Sequence, residues 1–140
     1  MKTFCLPVCI SLLFFLFQFQ AISQNRDSSD LYLNKANLAK AERRIQLALN
    51  LYEKAIKFDT TNTSALKTLG DYAIETRNFR IAIETYTRWY RLEPNNVETY
   101  QKLANLYYSL GRYQDAITFT EKWESVYKDK PMHYVAGMCY

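Results

Sequence analysis

An all-α chain of paired helices, repeated at a fixed interval, is the fold class this sequence predicts, and three observations predict it. Residues recur in register at an offset of 34: Leu66-x-x-Leu69-Gly70 lies over Tyr100-x-x-Leu103-Ala104, and Phe79-x-x-Ala82-Ile83 over Tyr113-x-x-Ala116-Ile117. Within each stretch apolar residues return at three- or four-residue spacing, the period of a helix with one buried face. Breakers are few: Gly70, Gly111 and Gly137 are the only glycines, Pro94 and Pro131 are the only prolines after Pro7, and no stretch alternates like a strand.

The first 23 residues stand apart. After Met1-Lys2, residues 4–19 are almost continuously apolar and hold five of the eight phenylalanines, and Ala21-Ile22-Ser23 offers small residues where a signal peptidase reads them. This is the pattern of a secretory signal peptide with Gln24 as the new N-terminus. An uncleaved membrane anchor is the alternative, but a span needs about 20 mostly apolar residues and Pro7, Gln18 and Gln20 interrupt this one. Cys9 lacks the small residue before it, and the apolar run behind it, that a lipoprotein site needs. Cleavage would remove Cys5 and Cys9, leaving Cys139 without an internal disulfide partner. It would also remove Lys2, lowering the formal charge from +4 to +3, too mild and too mixed in sign to argue for nucleic acid.

Residues 24–28 are polar and expected to be loose, with Ser28, Ser29 or Asp30 available to cap a following helix. A first unit over 29–62 follows. Its opening helix is the poorer one (Tyr32, Ala36, Ala39). In its second, Leu47, Leu51, Ala55 and Phe58, together with Ala48, Tyr52 and Ile56, form a wide apolar stripe. Units over 63–96 and 97–129 are separated by Glu93-Pro94-Asn95-Asn96 and followed by Lys128-Asp129-Lys130-Pro131, turn residues that stop one helix and cap the next. Residues 130–140 read as the opening helix of a fourth unit ending on Met138-Cys139-Tyr140, with no polar capping helix after it. Either a partner or second copy covers that face, or the chain is the front of a longer protein.

These residues resemble the tetratricopeptide repeat, a 34-residue helix pair with the pattern W-x2-L-G-x2-Y, then A, an aromatic and a closing P. The second unit carries Leu66, Leu69, Gly70, Ala82, Tyr86 and Pro94 at the signature places, and the third carries Tyr100, Leu103, Ala104, Tyr107, Gly111, Tyr113 and Ala116. The resemblance implies a right-handed superhelical solenoid of antiparallel helix pairs, with three full repeats and part of a fourth in a domain spanning 29–140. Small residues at Ala36, Gly70, Ala104 and Gly137, and at Ala48, Ala82 and Ala116, would let helices approach closely. Trp89 and Trp123 depart from the family's preference for a small residue there. Core packing is the expected reading, and an exposed aromatic contact site is the alternative.

No catalytic pattern accompanies the repeats. His133 is the only histidine, no Gly-rich phosphate loop or HExxH stretch occurs, and the carboxylates Glu42, Asp71, Glu75 and Glu84 are spread along helices. The expectation is a chain that is not an enzyme and takes no cofactor, metal, nucleic acid or small-molecule substrate. Its partner would be a protein or peptide, with an envelope complex or a homo-oligomer through the C-terminal helix as the forms of assembly.

The resemblance implies a groove lined by the first helix of each unit. By repeat position it nominates Asn37 and Lys40, then Lys67, Asp71 and Ile74, then Gln101, Asn105 and Tyr108. Some relatives use a clamp for a chaperone's C-terminal carboxylate, with Lys and Asn, then Asn, then Lys and Arg. Those places hold Leu33 and Asn37, Thr68, and Glu98 and Lys102 here, and Glu98 reverses a charge. Asn62-Thr63-Ser64 is a glycosylation sequon in an inter-repeat turn. The expected function is an exported interaction or scaffold module, periplasmic or secreted in the style of Gram-negative bacteria. The alternative is the docking or sensory region of a longer envelope or signalling protein.

Overall fold

The computed structural model describes residues 25–126, all of it helix and tight turn with no strand among the described residues. Helix α1 runs over 25–41, and α2 is Ile45–Phe58, α3 Thr63–Glu75, α4 Phe79–Leu92, α5 Val97–Ser109 and α6 Tyr113–Val126. The second helices begin at Ile45, Phe79 and Tyr113, and α3 and α5 begin at Thr63 and Val97, so the 34-residue register appears in the helix starts themselves. The fourth-unit segment 130–140, with Gly137, and the leader 1–23 lie outside the described residues.

The described chain divides after Asn62 into two compact units. In the first, Ala36, Ala39, Ala48, Leu49, Tyr52, Ala55 and Ile56 are buried, so the expected stripe on α2 holds at Ala48, Tyr52, Ala55 and Ile56, while Leu47 and Leu51 are half-buried and Leu49 is buried outside it. Phe58 is exposed and stacks on Tyr32 with ring centroids 5.2 Å apart. Residues 25–28, expected to be loose, are helical, and Ser28, Ser29 and Asp30 lie inside α1 instead of capping it. Ser29 is fully buried and accepts a hydrogen bond from the Asn62 amide, a tertiary contact invisible to local propensity.

In the second unit α3 packs on α4, α4 on α5 and α5 on α6. Gly70, at the α3–α4 crossing, has no room for a side chain: a Cβ there would run into the Tyr86 ring. Ala82, Ala104 and Ala116 are likewise fully buried. Trp89 and Trp123 are core residues, 4% and 1% exposed, so the contact-site alternative is excluded. Trp123 meets Tyr100 edge-on at 4.8 Å, and Tyr90 and Phe119 complete the aromatic cluster.

Each turn between paired helices is built alike. The second residue after the helix takes a left-handed backbone, Arg43 at φ 57°, Arg77 at φ 59° and Gly111 at φ 71°. The next amide reaches back five residues: Arg44 to the Ala39 carbonyl, Asn78 to Ala73 and Arg112 to Tyr107, at 2.9, 2.7 and 2.9 Å. This double-bonded helix end satisfies carbonyls that the helix leaves open.

Candidate functional site

Helices α3 and α5 lie one repeat apart, and side chains from both meet on one face. Lys67 on α3 pairs with Glu98 on α5 at 2.8 Å, and Asp71, one turn further along α3, pairs with Lys102, one turn further along α5. The two pairs form a ladder with crossed polarity: cation to anion, then anion to cation. Helix α4 backs it. The Lys67 ammonium lies 6.0 Å from the centre of the Trp89 ring, Lys102 lies 6.0 Å from Tyr86, and the Tyr86 hydroxyl donates to Asp71 at 2.6 Å.

The α4–α5 turn anchors the upper rung. Glu93, the residue that ends α4, accepts from the Trp89 indole at 2.9 Å and from the Asn96 amide at 2.6 Å. Asn96 in turn caps α5 by accepting from the Glu98 backbone amide at 2.9 Å. Glu98 therefore sits in the first turn of α5, where the helix dipole favours a carboxylate, with its backbone held by the cap.

Electrostatics follow from these contacts. Burial pushes the Asp71 carboxyl up, but hydrogen bonds from Lys102 and Tyr86, with the Lys102 and Lys67 charges, outweigh it and hold the group below its ordinary value. The hydrogen bond and charge of Glu98 hold the Lys67 ammonium above its ordinary value. Burial and the Asp71 carboxylate push the Tyr86 phenol far up, so it remains a donor. Glu93 is held down by Asn96 and Trp89. The side chains of the Asp71–Lys102 pair are each 33% exposed and those of Lys67 and Glu98 45% and 39%, so water screens both pairs and they add little to stability.

The nominated residues fall in both units. Asn37 and Lys40 lie on α1 in the first unit, where exposed Asn37 accepts from the Tyr52 hydroxyl at 2.6 Å. In the second unit Lys67, Asp71 and half-buried Ile74 follow one another along α3. On α5, Gln101 and Asn105 are exposed, and half-buried Tyr108 lies against Tyr113 with ring centroids 5.5 Å apart. Glu98 and Lys102 complete the charged face but were legible only as failed clamp positions. Their common separation of 31 residues from Lys67 and Asp71 is the signal that identifies them. Lys102 is engaged by Asp71 and Glu98 by Lys67, so a carboxylate clamp has no free cation at these two places.

Among the described residues no group of His, Cys, Asp and Glu is placed to hold a metal ion, and no helix is long and apolar enough to cross a membrane. The site has the chemistry of recognition: hydrogen-bonding side chains over paired charges, on a rigid helical support.

No curated protein sequence gives a significant match. Models of the tetratricopeptide repeat match residues 29–62, the first unit, and residues 85–118, a span straddling the second and third. Among solved structures, the TPR domain of Arabidopsis OM64 superposes with a TM-score of 0.60 at 21% identity, over 82% of this chain and 93% of that one. YrrB, a TPR protein with an unusual peptide-binding site, gives 0.60 at 21% identity, over 86% of this chain and 63% of its own. The first TPR domain of Spaghetti (RPAP3), bound to the HSP90 peptide SRMEEVD, gives 0.62 at 12% identity, over 81% of this chain and 91% of that one. At these identities the structures establish the fold, and the two repeat matches, over a chain whose second helices start every 34 residues, establish the family. This chain is a tetratricopeptide-repeat protein.

Proposed function

We propose that the chain is an exported interaction module that holds a segment of a partner protein on the face formed by α3 and α5. The observation that carries this reading is the ladder of Lys67, Asp71, Glu98 and Lys102, flanked by exposed Gln101 and Asn105. Two helices one repeat apart present a continuous polar surface whose supporting side chains are already held by α4. Pre-set side chains lose little freedom when a ligand arrives, which favours binding. YrrB and the Spaghetti domain, which share the fold, are peptide binders, and this supports the same use here.

The export half of the proposal rests on residues 1–23, whose charged start, apolar run and small-x-small exit have the composition of a cleaved leader. The mature chain then works outside the cytoplasm, in the periplasm or medium, as a scaffold for an envelope assembly.

Two experiments test this. A photo-crosslinker placed at Gln101 should trap a partner protein at native abundance, whereas one at Glu121, on α6, should not. Equal trapping at both positions, or none, contradicts the groove assignment. N-terminal sequencing of the protein recovered from fractionated cells should begin at Gln24, and an intact Met1 terminus in the cytoplasm would overturn the export half.

A further inference from the structure

We propose that Tyr90 is a nucleophilic phenol, the site at which this chain takes a sulfur(VI) electrophile such as an activated sulfonyl or sulfuryl group. The site uses none of the ladder residues and stands independently of the partner-binding reading above.

Three helices build it. Tyr90 lies near the end of α4, Tyr100 on α5, and Phe119 and Lys122 on α6. The buried Tyr100 hydroxyl donates a long hydrogen bond, 3.4 Å, to the Tyr90 oxygen. The Lys122 ammonium lies 5.2 Å from the centre of the Tyr90 ring and hydrogen-bonds the same oxygen. Tyr100 and Phe119 meet that ring edge-on, with centroids 5.1 and 5.9 Å away, and fix its orientation. Tyr90 itself is half-buried, which leaves it an approach from solvent.

The direction of the hydrogen bonds sets Tyr90 apart. Tyr52 and Tyr86 donate, to Asn37 and Asp71, and the Asp71 carboxylate helps to keep Tyr86 protonated. Tyr90 receives instead, from one cationic and one neutral donor. The Lys122 hydrogen bond, then that of Tyr100, with the Lys122 charge, outweigh burial and hold the phenol below its ordinary value. Lys122 is exposed and forms no ion pair among the described residues; Glu121 and Glu124 flank it on α6 without pairing with it. Its charge is therefore not already committed to a carboxylate.

An oxygen nucleophile is weak until a neighbouring group lowers its pKa, and here Lys122 and Tyr100 supply that activation. The Tyr90 oxygen attacks the sulfur and an O–S bond forms. The bond from sulfur to its leaving group breaks, with the electron pair departing on that group, and the phenol proton passes to water.

The probe is an aryl sulfonyl fluoride at limiting concentration, from which fluoride departs, with the labelled residues located by mass spectrometry of the folded chain. Exposure alone would direct label to Tyr113, which is 51% exposed. Tyr90 should be labelled first. Its rate should reach half its maximum at a lower pH than that of N-acetyltyrosine amide, whose phenol titrates at about 10. Lys122→Gln should slow labelling of Tyr90 at neutral pH by about fivefold or more and move its pH profile upward, whereas Lys122→Arg should retain most of the rate. Lys122 is exposed, so circular dichroism should show both variants folded like the parent. Labelling of Tyr113 ahead of Tyr90, no label on Tyr90, or a Tyr90 profile indifferent to Lys122→Gln would overturn the proposal.

Discussion

The Tyr86 hydroxyl donates a 2.6 Å hydrogen bond to Asp71, and one repeat earlier Tyr52 donates one of the same length to Asn37. The bond crosses each helix pair at the same place, with a carboxylate as acceptor in one unit and a carboxamide in the other. Only the carboxylate can also hold Lys102.

Substitution at position 71 should therefore separate two interactions. Asp71→Asn reproduces the first unit's own solution, retains the Tyr86 bond and loses the ion pair, at about 0.5–1 kcal/mol. Asp71→Ala loses both and strands a largely buried phenol, at about 2 kcal/mol. Urea unfolding of the two variants measures the difference, and equal costs would contradict the shared geometry.

Gly70→Ala should be among the most damaging single-methyl changes in the chain. The new Cβ meets the Tyr86 ring, itself fully buried, so the α3–α4 crossing must widen at about 1–3 kcal/mol. Gly111→Ala has open space around it and suffers only from its left-handed backbone, about 1 kcal/mol. Thermal melts should order the two variants accordingly.

Arg77→Gly should stabilise the protein. Arg77 takes φ 59° at the place where the third unit has Gly111, and the substitution relieves about 1 kcal/mol of backbone strain, partly offset by the greater freedom of glycine in the unfolded chain. A net gain of about 0.5 kcal/mol, read as a higher melting temperature, is the expected result.

Stability should fall on acidification. Asp71 and Glu93 are held below their ordinary values in the folded state, so the unfolded chain binds more protons than the folded one as pH drops. Their contribution is complete above the unfolded carboxylate range, about 3.9–4.3, and is lost as pH falls through their lower folded values. Urea midpoints measured from pH 7 down to pH 3 should decline, and Asp71→Asn should flatten part of that decline.

The 34-residue register, the burial of Ala48, Ala82 and Ala116, and the tight crossing at Gly70 were all legible in the sequence. A repeat states the same local rule several times, so periodicity, breaker spacing and small-residue register each report it independently. Lys67, Asp71, Gln101 and Asn105 could also be nominated from repeat position alone.

The early start of α1, the burial of both tryptophans and the ladder itself were settled only in three dimensions. Ser29 lies inside a helix, where it accepts from Asn62, and Trp89 is buried where its indole reaches Glu93. Lys67 and Asp71 bind Glu98 and Lys102 because α3 and α5 come side by side after α4 returns the chain, bringing residues 31 apart into contact. Local pattern specifies which face of each helix is apolar. Which charge meets which depends on the approach of helices distant in sequence, and packing around Gly70 and Tyr86 sets that approach.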